Sequence, residues 1–191
     1  MRVLLASSEV HPYSKTGGLA DMVGALAKAL AHKGHQVGVV TPLYAGIRER
    51  FPGIKPMGVP LEFPLGPRSI CAQALSLEPL PGLTVYFIDQ PAFYQRTDLY
   101  QEAGADYPDN AERFVFFSKA VAHLALHQPW QPELLHLHDW QASPAALLLH
   151  HQRKLRGQGT TPGICLTIHN LAYQGLFPAA QYALTNLPPG Y

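Results

Sequence analysis

The sequence predicts an α/β domain built on a mostly parallel sheet, with helices on both faces and an inserted β-hairpin. Three observations predict it. An apolar strand, an amphipathic helix and a second apolar strand follow one another inside the first 45 residues, which is a βαβ unit with a right-handed crossover. The strand candidates are short continuous apolar runs rather than alternating ones, as expected of strands covered on both faces. Three polar clusters, Lys15-Thr16-Gly17-Gly18, His138-Asp139-Trp140 and His169-Asn170, stand where strands end, and open parallel sheets bind ligands at the carboxyl ends of their strands.

Val3 to Ala6 is the first strand and Ser7 to Leu19 a glycine-containing loop. From Asp21, the apolar positions Met22, Val23, Leu26, Ala27 and Leu30 fall at helical spacing. Asp21 is placed to cap that helix, and Gly34 to stop it just past Lys33. Gln36 to Thr41 is the second strand, ended by Pro42. A short helix and loop occupy 43–53. Lys55 to Phe63 and Ile70 to Leu77, separated by Gly66-Pro67, read as the hairpin. Leu83 to Ile88 is a buried strand, and Asp89 to Asn110 a loop with an aromatic cluster of Phe93, Tyr94, Tyr100 and Tyr107. A long helix starts at Asp109 or Asn110 and runs to about His127, with Glu112 at capping-box distance from Asp109. Phe114, Phe117, Val121 and Leu124 are its core stripe. Leu134 to His138 is a strand, Ser143 to Leu155 a helix with Pro144 in its first turn, and Gly163 to Ile168 a strand. His150, His151, Arg153, Lys154 and Arg156 read as a solvated helix face. Residues 171–191 carry no periodicity.

The bulk composition excludes several classes. Of 191 residues, 47% are hydrophobic and 14% charged, which is a globular and not a disordered balance. A formal net charge of +1 offers no electrostatic case for nucleic acid or an anionic membrane. No apolar run reaches the roughly 18 residues of a membrane span. The amino terminus is too short for a signal-peptide core, so a cytoplasmic protein is expected. Cys71 and Cys165 lie in apolar strand-like stretches and are expected to be buried, reduced thiols.

Adjacent glycines at a strand-to-helix junction let a ligand approach the backbone, and a helix start offers free N–H groups and partial positive charge. Lys15 adds a full charge, so the loop suits a phosphate. It is neither Gly-x-Gly-x-x-Gly nor a Walker loop, and no acid follows the second strand to hold a ribose hydroxyl, which argues against a nicotinamide dinucleotide. His136 and His138 share a strand face, but no further ligand cluster completes a zinc pattern, so no metal is assigned. Asp139 fits two roles, hydrogen bonding to sugar hydroxyls or capping the next helix. His169 likewise fits either a substrate contact or a structural position. The aromatic cluster, Tyr94 included, offers faces for stacking on sugar rings.

The stretches Val3-Leu4-Leu5-Ala6-Ser7-Ser8-Glu9, Lys15-Thr16-Gly17-Gly18-Leu19-Ala20-Asp21, Asp109-Asn110-x-x-Arg113-Phe114, His138-Asp139-Trp140 and Thr167-Ile168-His169-Asn170-Leu171-Ala172-Tyr173-Gln174-Gly175 resemble, in order and spacing, the amino-terminal region of bacterial glycogen synthases and plant starch synthases. The resemblance implies the Rossmann-like amino-terminal half of a GT-B glycosyltransferase. It implies a retaining transfer of glucose from ADP-glucose to the non-reducing 4-hydroxyl of an α-1,4-glucan, with no cofactor or metal. By the same resemblance Lys15, Gly17 and Gly18 contact the donor, Asp21 supports that side, Asp139 and His169 line the glucose and acceptor pocket, and Asn170 lies beside them. Members of that family are more than twice as long. Residues 1–191 are therefore expected to form one amino-terminal domain that works with a carboxy-terminal nucleotide-binding domain of the same protein and has little activity alone. The location implied is cytoplasmic in a bacterium and plastidial in a plant. A stand-alone glucan-binding or regulatory module is the alternative.

Overall fold

The computed structural model describes residues 1–156 and 162–191, without the side chains of Val59 and Arg156, so the last member of the basic helix face lies outside the described residues. Strand β1 (Arg2–Ala6) leads to helix α1 (Gly18–His32), β2 (Gln36–Pro42) and a single helical turn, α2 (Ile47–Arg50). The hairpin strands β3 (Lys55–Leu65) and β4 (Arg68–Leu80) precede β5 (Leu83–Asp89). Then come α3 (Pro91–Tyr94), the small strands β6 (Gln101–Glu102) and β7 (Ala105–Asp106), and the long α4 (Asn110–His127). Strand β8 (Leu134–His138), α5 (Asp139–Ala142), α6 (Pro144–Arg156), β9 (Gly163–Thr167) and a 3-10 helix at Ala179–Thr185 complete the chain.

The seven-stranded sheet has the order β3-β4-β5-β2-β1-β8-β9. Strand β1 is interior: Leu5 stands opposite Val39 of β2 on one side and His136 of β8 on the other, both in parallel register. Strands β5 and β9 extend the parallel part, and the hairpin closes one edge antiparallel. From β1 the chain first moves to β2 and later crosses back to β8. Right-handed crossovers in opposite directions put α1 on one face of the sheet and α4 with α6 on the other. The order reverses at β1, so a crevice opens beyond the carboxyl ends of β1 and β8.

Leu4, Leu5, Val39, Val40, Phe87 and Leu135 are fully buried in the sheet, and Phe114, Phe117, Val121 and Leu124 are the buried stripe of α4. The segment between β5 and α4 is anchored rather than loose. The buried Arg113 guanidinium donates from Nε to the Phe93 carbonyl (2.7 Å), from Nη1 to Asn110 Oδ1 (2.7 Å) and from Nη2 to the Leu99 carbonyl (2.8 Å). Three neutral oxygens thus satisfy a charge that has no carboxylate within ion-pair distance among the described residues.

Several local expectations are corrected. Helix α1 begins three residues early, at Gly18 with Gly17 as its N-cap, so Asp21 lies inside the first turn and does not cap. Asp109 does not close a capping box either: its carboxylate takes Arg96 at 2.5 Å, and Glu112 pairs with Arg68 at 2.6 Å. Both cysteines are exposed. Alternation turns Cys71 away from the buried Ala72, and Cys165 lies on β9, an edge strand whose residues are largely exposed.

Helix α1 packs so closely on the loop before it that a Cβ on Gly24 would lie 2.5 Å from the His11 carbonyl oxygen. Alanine favours a helix interior over glycine by about 1 kcal/mol, but overpacking against backbone costs about 1–3 kcal/mol. Gly24→Ala is therefore expected to lower stability on balance, read as a reduced urea midpoint with an unchanged slope.

Candidate active site

The crevice beyond β1, β8 and β9 gathers the predicted polar clusters. On its first side, Lys15 Nζ pairs with Asp21 Oδ2 at 2.7 Å, with both side chains about half exposed. Gly17 and Gly18 are exposed, and a Cβ on either would meet nothing within 4 Å. The packing of the chain itself does not require glycine there; the space in front of the backbone is open.

The loop is held from behind by Glu9, a residue singled out by none of the sequence arguments on chemistry. Its carboxylate is buried at the end of β1. One oxygen, Oε2, accepts the backbone N–H groups of Thr16 and Gly17, the latter at 3.3 Å. The other, Oε1, accepts the hydroxyls of Thr16 (2.6 Å) and Tyr100 (2.7 Å). The Tyr100 oxygen also meets Ser8 Oγ at 2.7 Å. A carboxylate at the end of a buried strand, next to a glycine loop, was the signal available for Glu9. Nothing local pointed to its partner at position 100.

On the second side, Asp139 follows β8 with φ of 57°, a left-handed conformation that is uncommon for non-glycine residues but tolerated by aspartate. Its Oδ1 accepts the backbone N–H of His169 at 2.7 Å, which ties the end of β8 to the end of β9, and it caps no helix. His138 Nδ1 lies 3.0 Å from His169 Nε2, while His138 Nε2 is buried without a partner. Hydrogen-bond satisfaction assigns the proton to His138 Nδ1, because the orphaned Nε2 is then a bare acceptor and not a buried N–H. His169 then accepts at Nε2 and carries its own proton on Nδ1. The rings of His136 and His138 are 4.2 Å apart on one strand face, and His136 Nε2 meets Thr167 Oγ1 at 2.7 Å. Among the described residues no group of three or more His, Cys, Asp or Glu side chains is placed to hold a metal ion.

The remaining candidates are placed differently. Asn170 is exposed, and its Oδ1 accepts the Ala172 N–H in a local turn. Tyr94 is fully buried, with its O–H donating to the Arg113 carbonyl, so it presents no face to a sugar ring; it belongs to the core. Trp140 packs edge-on to Phe114 and against Phe177. Gly175, at φ of 62°, lies against the Trp140 ring so closely that a Cβ would overlap it, which holds the chain there to Trp140.

The residues from 2 to 191 match the model of the starch synthase catalytic domain. The chain belongs to the starch synthase catalytic-domain family. It is 41% identical over 98% of its length to a glycogen synthase of Anaeromyxobacter sp. (strain K), and 42% identical over 99% of its length to one of Granulibacter bethesdensis. It spans 38% of the length of each. The structure superposes on the catalytic domain of starch synthase IV from Arabidopsis thaliana bound to ADP and acarbose, with a TM-score of 0.80, 29% identity, and coverage of 98% of this chain and 37% of that one. The fold is accordingly one half of a GT-B glycosyltransferase.

Burial, then the neighbouring His136 and His169, pushes the pKa of His138 from 6.5 down to about 3. Between those values the unfolded chain binds a proton that the native state refuses. Stability is therefore complete above pH 6.5 and falls as the pH drops toward 3. At pH 5 the loss from this group is about 2 kcal/mol. Urea midpoints at pH 7 and pH 5 are expected to differ in the wild type, and to differ less in His138→Asn.

Proposed function

We propose that this chain is the amino-terminal lobe of a retaining glucosyltransferase that moves glucose from ADP-glucose to the non-reducing 4-hydroxyl of an α-1,4-glucan, with a carboxy-terminal nucleotide-binding domain of the same protein completing the cleft. The observation that carries this reading is the convergence of a lysine-bearing glycine loop at a helix N-terminus with Asp139 and His169 across one switch-point crevice. The first side suits a diphosphate and the second a polyhydroxylated ring. That the starch synthase IV catalytic domain binds ADP and acarbose supports a nucleoside diphosphate and a sugar as the two ligands.

In this reading Lys15 exchanges its bond to Asp21 for the donor diphosphate. The lysine and the N–H groups opening α1 then stabilise the charge that builds on the leaving phosphate, the type of term that is commonly largest in catalysis. The bond from the anomeric carbon to the phosphate oxygen breaks, and its electrons stay on ADP. The acceptor 4-hydroxyl attacks from the same face, and its proton passes to the departing phosphate oxygen. Asp139 accepts from donor-sugar hydroxyls and faces the developing positive charge of the ring, while His169 donates from Nδ1 to orient a hydroxyl. No carboxylate pair at glycosidase separation is evident, so a front-face displacement is favoured over a double displacement. Trapping a covalent glucosyl adduct on Asp139 by mass spectrometry would overturn that choice; intact wild-type mass under turnover is expected.

The test of the reaction is glucose incorporation into glycogen from ADP-glucose. The full-length protein is expected to be active, and Lys15→Ala and Asp139→Ala each to lose about 10²–10³-fold in kcat, as for the loss of one charge-stabilising group. In the same assay residues 1–191 alone are expected to show little or no incorporation. Normal turnover by both variants would refute the site assignment. Robust activity of the 191-residue chain would refute the need for a second domain.

A further inference from the structure

We infer that Glu9 is a positioning residue for the donor side of the reaction: its carboxylate sets which backbone N–H groups of the glycine loop receive the phosphate. The inference rests on the glucosyl-transfer reading above.

A carboxylate behind a phosphate loop is electrostatically adverse, since the two anions repel. Its presence calls for a compensating gain. Lys15, Thr16, Gly17 and Gly18 are all exposed, so packing of their side chains does not hold the loop in one conformation. What the carboxylate adds is conformation. By taking both amides on Oε2 and two hydroxyls on Oε1, it turns the Thr16 and Gly17 N–H groups inward. An incoming anion is excluded from those two amides by charge and by occupancy. It is directed instead to the N–H groups of the first turn of α1, which starts at Gly18, and to Lys15.

The position of Glu9 is itself fixed. Ser7 Oγ donates to the Glu9 carbonyl at 2.7 Å and accepts the Glu9 N–H at 3.3 Å. The backbone of Tyr100 is held by Asn110 Nδ2 at 2.9 Å and by the Tyr107 N–H at 3.0 Å, both donating to its carbonyl. The phosphate loop is thus referenced to the end of β1 and the start of α4, two rigid elements, through one carboxylate. A loop held by water alone would sample other registers, and small misplacements of a transition-state contact cost rate steeply.

The experiment compares Glu9→Ala, Glu9→Gln and Tyr100→Phe in the full-length protein, measuring donor KM, acceptor KM and kcat. Glutamine preserves the geometry: its amide oxygen accepts the two N–H groups, and its NH2 donates to the two hydroxyls, which rotate to accept. Glu9→Ala is expected to raise donor KM and lower kcat about tenfold each, with acceptor KM within about twofold, and Glu9→Gln to stay within about threefold of wild type. Wild-type donor KM and kcat in Glu9→Ala would overturn the inference. So would a Glu9→Gln variant as impaired as Glu9→Ala, because charge and not loop geometry would then be acting. If Glu9→Ala does not fold, Tyr100→Phe decides. A donor-side loss of about two- to threefold with unchanged acceptor KM supports positioning, whereas no change, or equal change in both KM values, rejects it. A wild-type protein inactive with nucleotide-glucose would refute the glucosyl-transfer reading and this inference together. An active wild type with indifferent Glu9 variants would refute this inference alone.

Discussion

The buried carboxylate of Glu9 is the interaction on which the glycine-loop side of the crevice depends. An ionised carboxylate left unpaired out of water costs several kcal/mol, and it is retained only where enough donors converge on it. Here four donors do so, two backbone and two hydroxyl, from two separate segments of chain. The sequence distance they bridge is large: Tyr100 stands 91 residues from Glu9. A line of support therefore runs from the buried guanidinium of Arg113 and the amide of Asn110, through the segment carrying Tyr100, to Glu9 and on to the glycine loop. Each link joins a polar group whose burial would be unfavourable alone to one that compensates it, so the network stands or fails as a unit.

The two sides of the crevice are built by different physics. The side of Lys15 and the glycines is open, with a half-exposed ion pair that solvent screens and that exchanges readily for another anion. The side of Asp139 and His169 is largely closed. Its imidazoles are linked ring to ring, burial holds His138 neutral, and a left-handed residue at Asp139 turns the chain so that its carboxylate meets the backbone of the next strand end. In the glucosyl-transfer reading proposed above, a mobile charge suits a diphosphate, and a tethered carboxylate beside a fixed imidazole suits a sugar ring.

How much of this was legible differed residue by residue. The buried strands were plain because Val3 to Ala6, Gln36 to Thr41 and Leu134 to His138 are short apolar runs with turn signals around them, and parallel pairing followed from the helices between them. The stripe of α4 was plain from its period. The ends of helices were not. Asp21 and Asp109 look like caps in a local window, but α1 already starts at Gly18, ahead of Asp21, and the Asp109 carboxylate is taken by Arg96. Tyr94 illustrates the opposite failure. An aromatic residue in a segment without periodicity reads as available, yet Arg113 draws that segment onto α4 and takes Tyr94 into the core. Both cysteines failed for a related reason: an apolar stretch does not reveal which of its alternating positions faces out, or that β9 is an edge.

The sequence by itself determined the βαβ architecture, the placement of three polar clusters at strand ends, and through its motifs the family. These properties are carried by local apolar period and by residues close together in the chain. Only the tertiary structure decided that Glu9 holds the glycine loop, that His138 sets the tautomer of His169, and that Asp139 binds strand to strand and does not cap a helix. The last two are hydrogen bonds between residues about 30 apart in the chain, and Glu9 itself is seated by Tyr100, 91 residues away, so no local pattern records these pairings.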